Sequence, residues 1–193
     1  MDFNCDQKND VHFFYTLPYS KNKALIETTW LSSLEDKTLM DYDLQLDNYI
    51  KNNLGIKIFK INYKEKGAIP LFYPNTEKQI KKIDIGSIGR MTRLSTGYTF
   101  LNIQEHSKYI RKNIDDIENV KIFELGKKYQ FLDKVFLKVL KNNPDRMPEI
   151  FYKMFTNPSN IVIKFLSNKT NIFEDLRIIS KMPKWIFIKA LIN

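Results

Sequence analysis

The first clear pattern along the chain is a run of aromatic and β-branched residues at 11–17, VHFFYTL, which ends at Pro18 and leads into a polar turn, YSKNK. Such a run predicts a β-strand closed by turn chemistry. Over 23–31, Ala24, Ile26, Thr28 and Trp30 take alternate positions, and Leu25, Glu27, Thr29 and Leu31 take the others. Side chains of a strand alternate between its faces, so this is a second strand with two distinct sides, and the two runs form a hairpin. The period then changes. Over 41–54, Leu44, Tyr49 and Ile50 recur at helical spacing, and the run stops at Gly55, a residue suited to the position just past a helix end. Period two returns at 56–63, IKIFKINY, and extended character continues over 65–71, which predicts a third strand.

Ile83 and Ile85 precede a glycine-containing stretch, GSIGRMTRLSTGY, and the pattern reads as strand, loop and a long helix beginning near Ser95. From 131 onward Leu132, Val135, Phe136, Val139 and Leu140 define one helix face. Pro144, Pro148, Pro158 and Pro183 divide the remainder into short helices, and Asn171 with Glu174 three residues later has the form of a capping box. The fold class is α+β, with strands in front and helices behind. Three segments are expected at 1–82, 83–114 and 115–193, forming one packed unit or two lobes.

Composition sharpens this picture only in part. With 193 residues, 43% of them hydrophobic, the chain has ample material for a core. One cysteine, Cys5, and two histidines leave no basis for a disulfide or a dedicated zinc site, and no metal is expected. No segment approaches the ~20 apolar residues of a membrane span, and the polar start MDFNCDQKND lacks the character of a signal peptide. The net charge of +9 suits anionic partners of several kinds, including a nucleic acid or a lipid surface. Lysine and asparagine are spread throughout, however, which marks a compositional bias rather than a binding surface.

Three sets of residues carry candidate chemistry. Glu27 shares a strand face with Leu25 and Leu31. If that face is covered, burial disfavours the charged carboxylate and makes Glu27 a general-acid candidate; if it is open, Glu27 is an ordinary solvated residue. The loop at Gly86 and Gly89, running on to Thr96 and Gly97, could offer backbone N–H groups to a pyrophosphate with help from Arg90 or Arg93, or could be a plain strand-to-helix connection. Phe13, Phe14, Tyr15 and Trp30 cluster in the hairpin as core, as cavity lining, or as ring faces toward a cation. His12 and His106 lack the neighbours of a triad or metal site and receive no role.

Four blocks, taken in order, resemble the lycopene cyclase family. They are MDF at 1–3, FFYTLPYSKNKALIETTWLS at 13–32, EKGAIPL at 65–71 and IGSIGRMTRLSTGYTFLNIQ at 85–104. The tail FEDLRIISKMPKWIFIKAL at 173–191 resembles the C-terminal helices of bacterial members. The resemblance implies that Glu27 is the catalytic acid, with Glu65 supporting the site and Phe14 and Trp30 against the substrate. It implies FAD in its reduced form, contacted through Gly86, Gly89, Thr96 and Gly97. The chain departs from the family at three positions: Thr28 stands where a second acid is frequent, Arg90 where glycine is usual, and Leu94 where proline is usual.

The resemblance also implies the C-terminal part of an FAD-dependent, Rossmann-like monooxygenase-type fold, with antiparallel substrate-domain strands followed by a helical region. No Gly-x-Gly-x-x-Gly turn follows a first strand here, so the N-terminal FAD-binding βαβ unit is expected to be missing, the chain being a truncated product, one half of a split gene with a separate FAD-binding half, or a fragment of a longer reading frame. The implied activity is acid-catalysed closure of the end group of lycopene or a related carotenoid to a β-ionone ring, in the cytoplasm, at the inner face of the membrane, with no nucleic acid as partner. Rival expectations are a flavin-dependent isoprenoid reductase of the same fold, an inactive fragment, and a basic binding module.

Overall fold

The computed structural model describes residues 1–32, 41–73 and 83–192. The architecture is α+β: one two-stranded antiparallel sheet followed by helices. Two compact units divide the chain. The first comprises Met1–Lys66 with Pro144–Glu149, the second Gly67–Asn143 with Ile150–Asn193. The expected segment boundary at 82 lies outside the described residues.

In the first unit, β1 (Val11–Ser20) pairs with β2 (Lys23–Leu31). The hairpin matches the expectation from alternation, but β1 does not end at Pro18. It runs on to Ser20 with an irregularity in the register between Pro18 and Ser20, because a two-stranded sheet tolerates a residue without an N–H near its end. The segment before β1 lies along its outer edge, where Asp2 and Phe14 exchange backbone hydrogen bonds of 2.8 Å in each direction. Val11, Phe13 and Phe14 are buried together with Tyr49, whose ring stacks on Phe14 at 3.9 Å. Tyr49 follows helix α1 (Tyr42–Asn48) and opens a π-helical turn, Tyr49–Asn53, that ends before Gly55 at φ +68°. The glycine stop expected at 55 is therefore present.

The expected third strand is absent. Residues 56–66 form no ladder among the described residues, and Ile58 is 93% exposed. Period-two alternation makes a strand only where a neighbour supplies hydrogen-bonding partners, and none is offered here. Ile83 and Ile85 likewise form no strand and lead directly into turns at 86–90.

The second unit is helical. It contains α2 (Phe100–Lys112), α3 (Lys127–Asn142), the greater part of α4 (Met147–Phe155), α5 (Ser159–Leu166), α6 (Ile172–Lys181) and α7 (Lys184–Ile192). α3 turns Tyr129, Val135 and Val139 into the core, and α7 packs on α3. The capping box at α6 forms as expected. Asn171 Oδ1 accepts from the Glu174 N–H, and the Glu174 carboxylate accepts from the Asn171 N–H, each at 2.9 Å. The second helix does not begin near Ser95. Gly97 sits at φ +70°, outside the helical region, and α2 starts only at Phe100.

One buried ion pair organises this unit. Arg93 is 0% exposed, and its Nε and Nη2 donate to the Asp133 carboxylate of α3, the shortest bond being 2.7 Å. Asp133 also accepts from the Leu94 N–H and the Ser95 hydroxyl. The remaining guanidinium nitrogen donates to the Phe165 carbonyl and Asn168 Oδ1, while the rings of Tyr129 and Phe165 lie 4.8 and 5.0 Å from the guanidinium carbon. The pair thus meets the condition for burying charge: both carboxylate oxygens and all three guanidinium nitrogens are hydrogen-bonded.

Candidate active site

Hairpin register decides which side chains Glu27 meets. Tyr15 stands directly opposite Glu27, and Leu25 and Thr29 follow on the same face of β2, with Phe13 and Leu17 on the same face of β1. Burial falls along this face from Val11 and Phe13, which are covered, to Leu17, which is open. Glu27 lies at the boundary and is half-buried. Its carboxyl has no hydrogen-bond or ion-pair partner among the described residues, so it is free to act on something placed against the hairpin. Burial pushes the Tyr15 phenol up from its ordinary value, and the neighbouring charge of Glu27 adds to the shift. Rings frame the site on one side: Phe13 meets Tyr15 edge to face at 5.0 Å, and Phe3 packs on Phe13 at 5.3 Å.

Phe14 and Trp30 belong to the opposite face. They line a cleft of about 230 Å³ with His12, Gln45 and Tyr49. A hydrogen-bonded chain runs through it. His12 Nδ1 lies 3.0 Å from the Asp6 carbonyl, which accepts, and His12 Nε2 is 2.8 Å from the Thr28 hydroxyl. Gln45 Oε1 lies 3.0 Å from that hydroxyl and accepts from the Trp30 indole at 2.9 Å. The His12 ring stacks on Trp30 at 3.9 Å. Thr28 therefore points away from Glu27, as adjacency on a regular strand requires. Glu65 lies on the exposed 56–66 segment, accepts from the Tyr63 hydroxyl at 2.6 Å, and shares no hydrogen bond with Glu27.

The glycine block forms a tight turn. Gly86 and Gly97 have positive φ and open space where a side chain would project, whereas a Cβ at Gly89 would run into the Asp84 backbone. Arg90 also adopts positive φ, +58°, at a position where glycine would be unstrained. The backbone N–H groups of Gly89, Arg90, Met91, Arg93, Thr96 and Gly97 all donate to carbonyls of the same stretch.

The sequence matches the family described as lycopene cyclase protein over residues 1–191 of 193. The chain belongs to the lycopene cyclase family. Comparison with curated proteins and with solved structures returns no match.

On the hairpin, Glu27 is a half-covered carboxyl beside Tyr15 and Phe13. Of the expected flavin contacts, Gly89, Thr96 and Gly97 have their N–H groups engaged within the glycine block, and Arg93 is committed to Asp133. Sequence reasoning missed Tyr15 as the partner of Glu27, His12 as the centre of the other face, and Asp133 altogether. Hairpin register would have revealed the first two, and an aspartate beside Leu132 within the apolar spacing of α3 was the sign of the third.

His12 and His106 give this cyclase family member a pH signature. Burial pushes both imidazoles below their ordinary value of 6.5. The folded chain then binds fewer protons than the unfolded one at mildly acid pH. Stability is fully present above 6.5 and falls as pH drops through that value toward the lower folded pKa values. Urea midpoints followed from about pH 8 to about pH 5 should decline, and the double replacement His12→Gln, His106→Gln should flatten the profile. An equally steep decline in the double variant would remove the two histidines as its cause.

Proposed function

We propose that the chain supplies the proton-donating part of a lycopene cyclase, which closes the end group of lycopene or a related carotenoid to a β-ionone ring. The observation that carries this reading is the family match across nearly the whole chain, joined to an unengaged, half-buried Glu27 on the hairpin. In the proposed reaction the Glu27 carboxylic acid gives its proton to the terminal alkene. The ring closes through a carbocation, and the new ring returns a proton to the Glu27 carboxylate, directly or through water, which restores the acid and neutrality with no net oxidation. Delivering a proton to an alkene is steeply uphill, and the site works chiefly by excluding water and favouring developing positive charge. The π faces of Phe13 and Tyr15, on the Glu27 side, suit that second task. Phe14 and Trp30 then support the hairpin from behind. Glu65 enters as a supporting acid only if the 56–66 segment folds toward the hairpin.

Reduced FAD, used without net redox change, belongs to this proposal as a group held by a separate N-terminal flavin-binding half of a Rossmann-like, monooxygenase-type fold. No step above depends on the flavin. The substrate dissolves in membranes, so the working enzyme sits at the inner, cytoplasmic face of a bilayer as a peripheral protein. Among the described residues no helix is long and apolar enough to cross one.

The test is product analysis after reconstituting the chain with a flavin-binding half, reductant and lycopene. The expected product has the mass of lycopene and a cyclised end. A product heavier by hydrogen, with stoichiometric loss of reductant, would identify a reductase instead.

A further inference from the structure

α7 is apolar on every side: Trp185, Ile186, Phe187, Ile188, Ala190, Leu191 and Ile192 are seven of its nine residues. One side, with Ala190, is buried in the unit. A helix on the surface of a water-soluble protein ordinarily turns polar residues outward, yet α7 turns out Trp185 (82% exposed), Ile188, Leu191 and Ile192 (80% exposed). α6 repeats the pattern with Ile172, Phe173 (83% exposed), Leu176 and Ile179. Contiguous apolar surface of this kind marks a contact face.

Charge identifies what the face meets. α7 contains Lys184 and Lys189 and no acidic residue. The two acids of α6 are paired, Glu174 with Lys164 and Asp175 with Lys128, which leaves Arg177 and Lys181 to set the local sign. α3, on which α7 packs, carries Lys127, Lys134, Lys138 and Lys141 along a groove of about 670 Å³ floored by Leu94, Phe131 and Leu137. None of these four lysines is in an ion pair among the described residues. Apolar side chains bordered by unpaired lysines fit the boundary between acyl chains and anionic headgroups, whereas protein contact faces are depleted in lysine. At nine residues α7 is about 13 Å long, which suits lying in the headgroup region rather than spanning.

We propose that the second unit docks on an anionic bilayer through the outward face of α7, with Trp185, Ile188, Leu191 and Ile192 inserted and Lys184 and Lys189 at the headgroups. This deepens the membrane contact of the proposed cyclase and rests on that reading. The full chain, without carotenoid, is mixed with phosphatidylcholine vesicles with or without phosphatidylglycerol and assayed by co-sedimentation. Binding is expected to favour the anionic vesicles and to weaken as salt rises. The double variant Ile188→Glu, Ile192→Glu, at positions already exposed, should bind about tenfold more weakly with unchanged circular dichroism. Lys184→Gln with Lys189→Gln should reduce the preference for phosphatidylglycerol. Trp185→Phe should still bind but lose the blue shift of tryptophan emission that vesicles induce. Undiminished binding by the Ile188 and Ile192 variant overturns the proposal. So does a variant that dissociates a dimer while binding vesicles normally, because the face would then be a contact between copies. Cyclisation of micellar lycopene without vesicle binding would overturn the docking surface and leave the cyclase reading standing, while vesicle binding with no cyclisation would do the reverse.

Discussion

Glu27→Gln is expected to abolish ring closure in the reconstituted enzyme, with loss of general-acid catalysis by about 10²- to 10⁴-fold or more. The amide keeps the shape and hydrogen-bonding reach of the side chain but has no acidic proton to give. Because Glu27 has no partner among the described residues and is half-buried at the boundary of the covered face of the hairpin, the replacement breaks no hydrogen bond seen there, and folding should be unchanged by circular dichroism. The informative companion is Thr28→Val. That hydroxyl lies on the other strand face, in the chain joining His12 and Gln45, so its loss should lower stability and leave the chemistry largely intact. Normal cyclisation by Glu27→Gln would remove Glu27 from the mechanism, whatever Thr28→Val does.

Asp133→Ala should be the most destabilising single change in the second unit, by about 3–5 kcal/mol, because it leaves the Arg93 guanidinium charged, buried and without its counterion. It also strands the Leu94 N–H and the Ser95 hydroxyl, which both donate to the same carboxylate. Urea denaturation monitored by circular dichroism reads the loss directly. Removing both charges, as Arg93→Met with Asp133→Leu, should restore much of the stability, since apolar residues of similar volume often replace a buried pair without penalty. A loss below about 1 kcal/mol in Asp133→Ala would show that the pair is solvated rather than buried.

Local features were the legible ones. The faces of β2, the glycine stop at Gly55, the helix starts after Pro158 and Pro183 and the Asn171 cap each depend on residues a few positions apart, and each formed as expected, whereas Pro148 falls within the first turn of α4 and divides nothing. The features that escaped depend on distant partners. Residues 56–63 alternate like a strand, but a ladder needs a second strand that local sequence cannot promise. The start of α2 was misplaced because Gly97 adopts positive φ, in a turn whose neighbouring Arg93 is drawn to Asp133, forty residues away on α3. Of the candidate site, Glu27 and its face were readable from alternation, while its directly opposed partner Tyr15 required the register. The proposal that Glu27 is a catalytic acid rather than a solvated glutamate rests on the ordered blocks, whose family is established across residues 1–191.

The unpaired 56–66 segment carries a hazard and its own remedy. A bare alternating run with Ile56, Ile58 and Ile61 is the material from which ordered intermolecular stacks are built. Lys57 and Lys60 interrupt it. If copies aligned in register, these ammonium groups would sit about 5 Å from their own images, and like charges at that spacing repel. The same lysines leave the backbone of the segment open to a strand of different sequence. The segment can thus keep an unfinished edge in solution without pairing with itself.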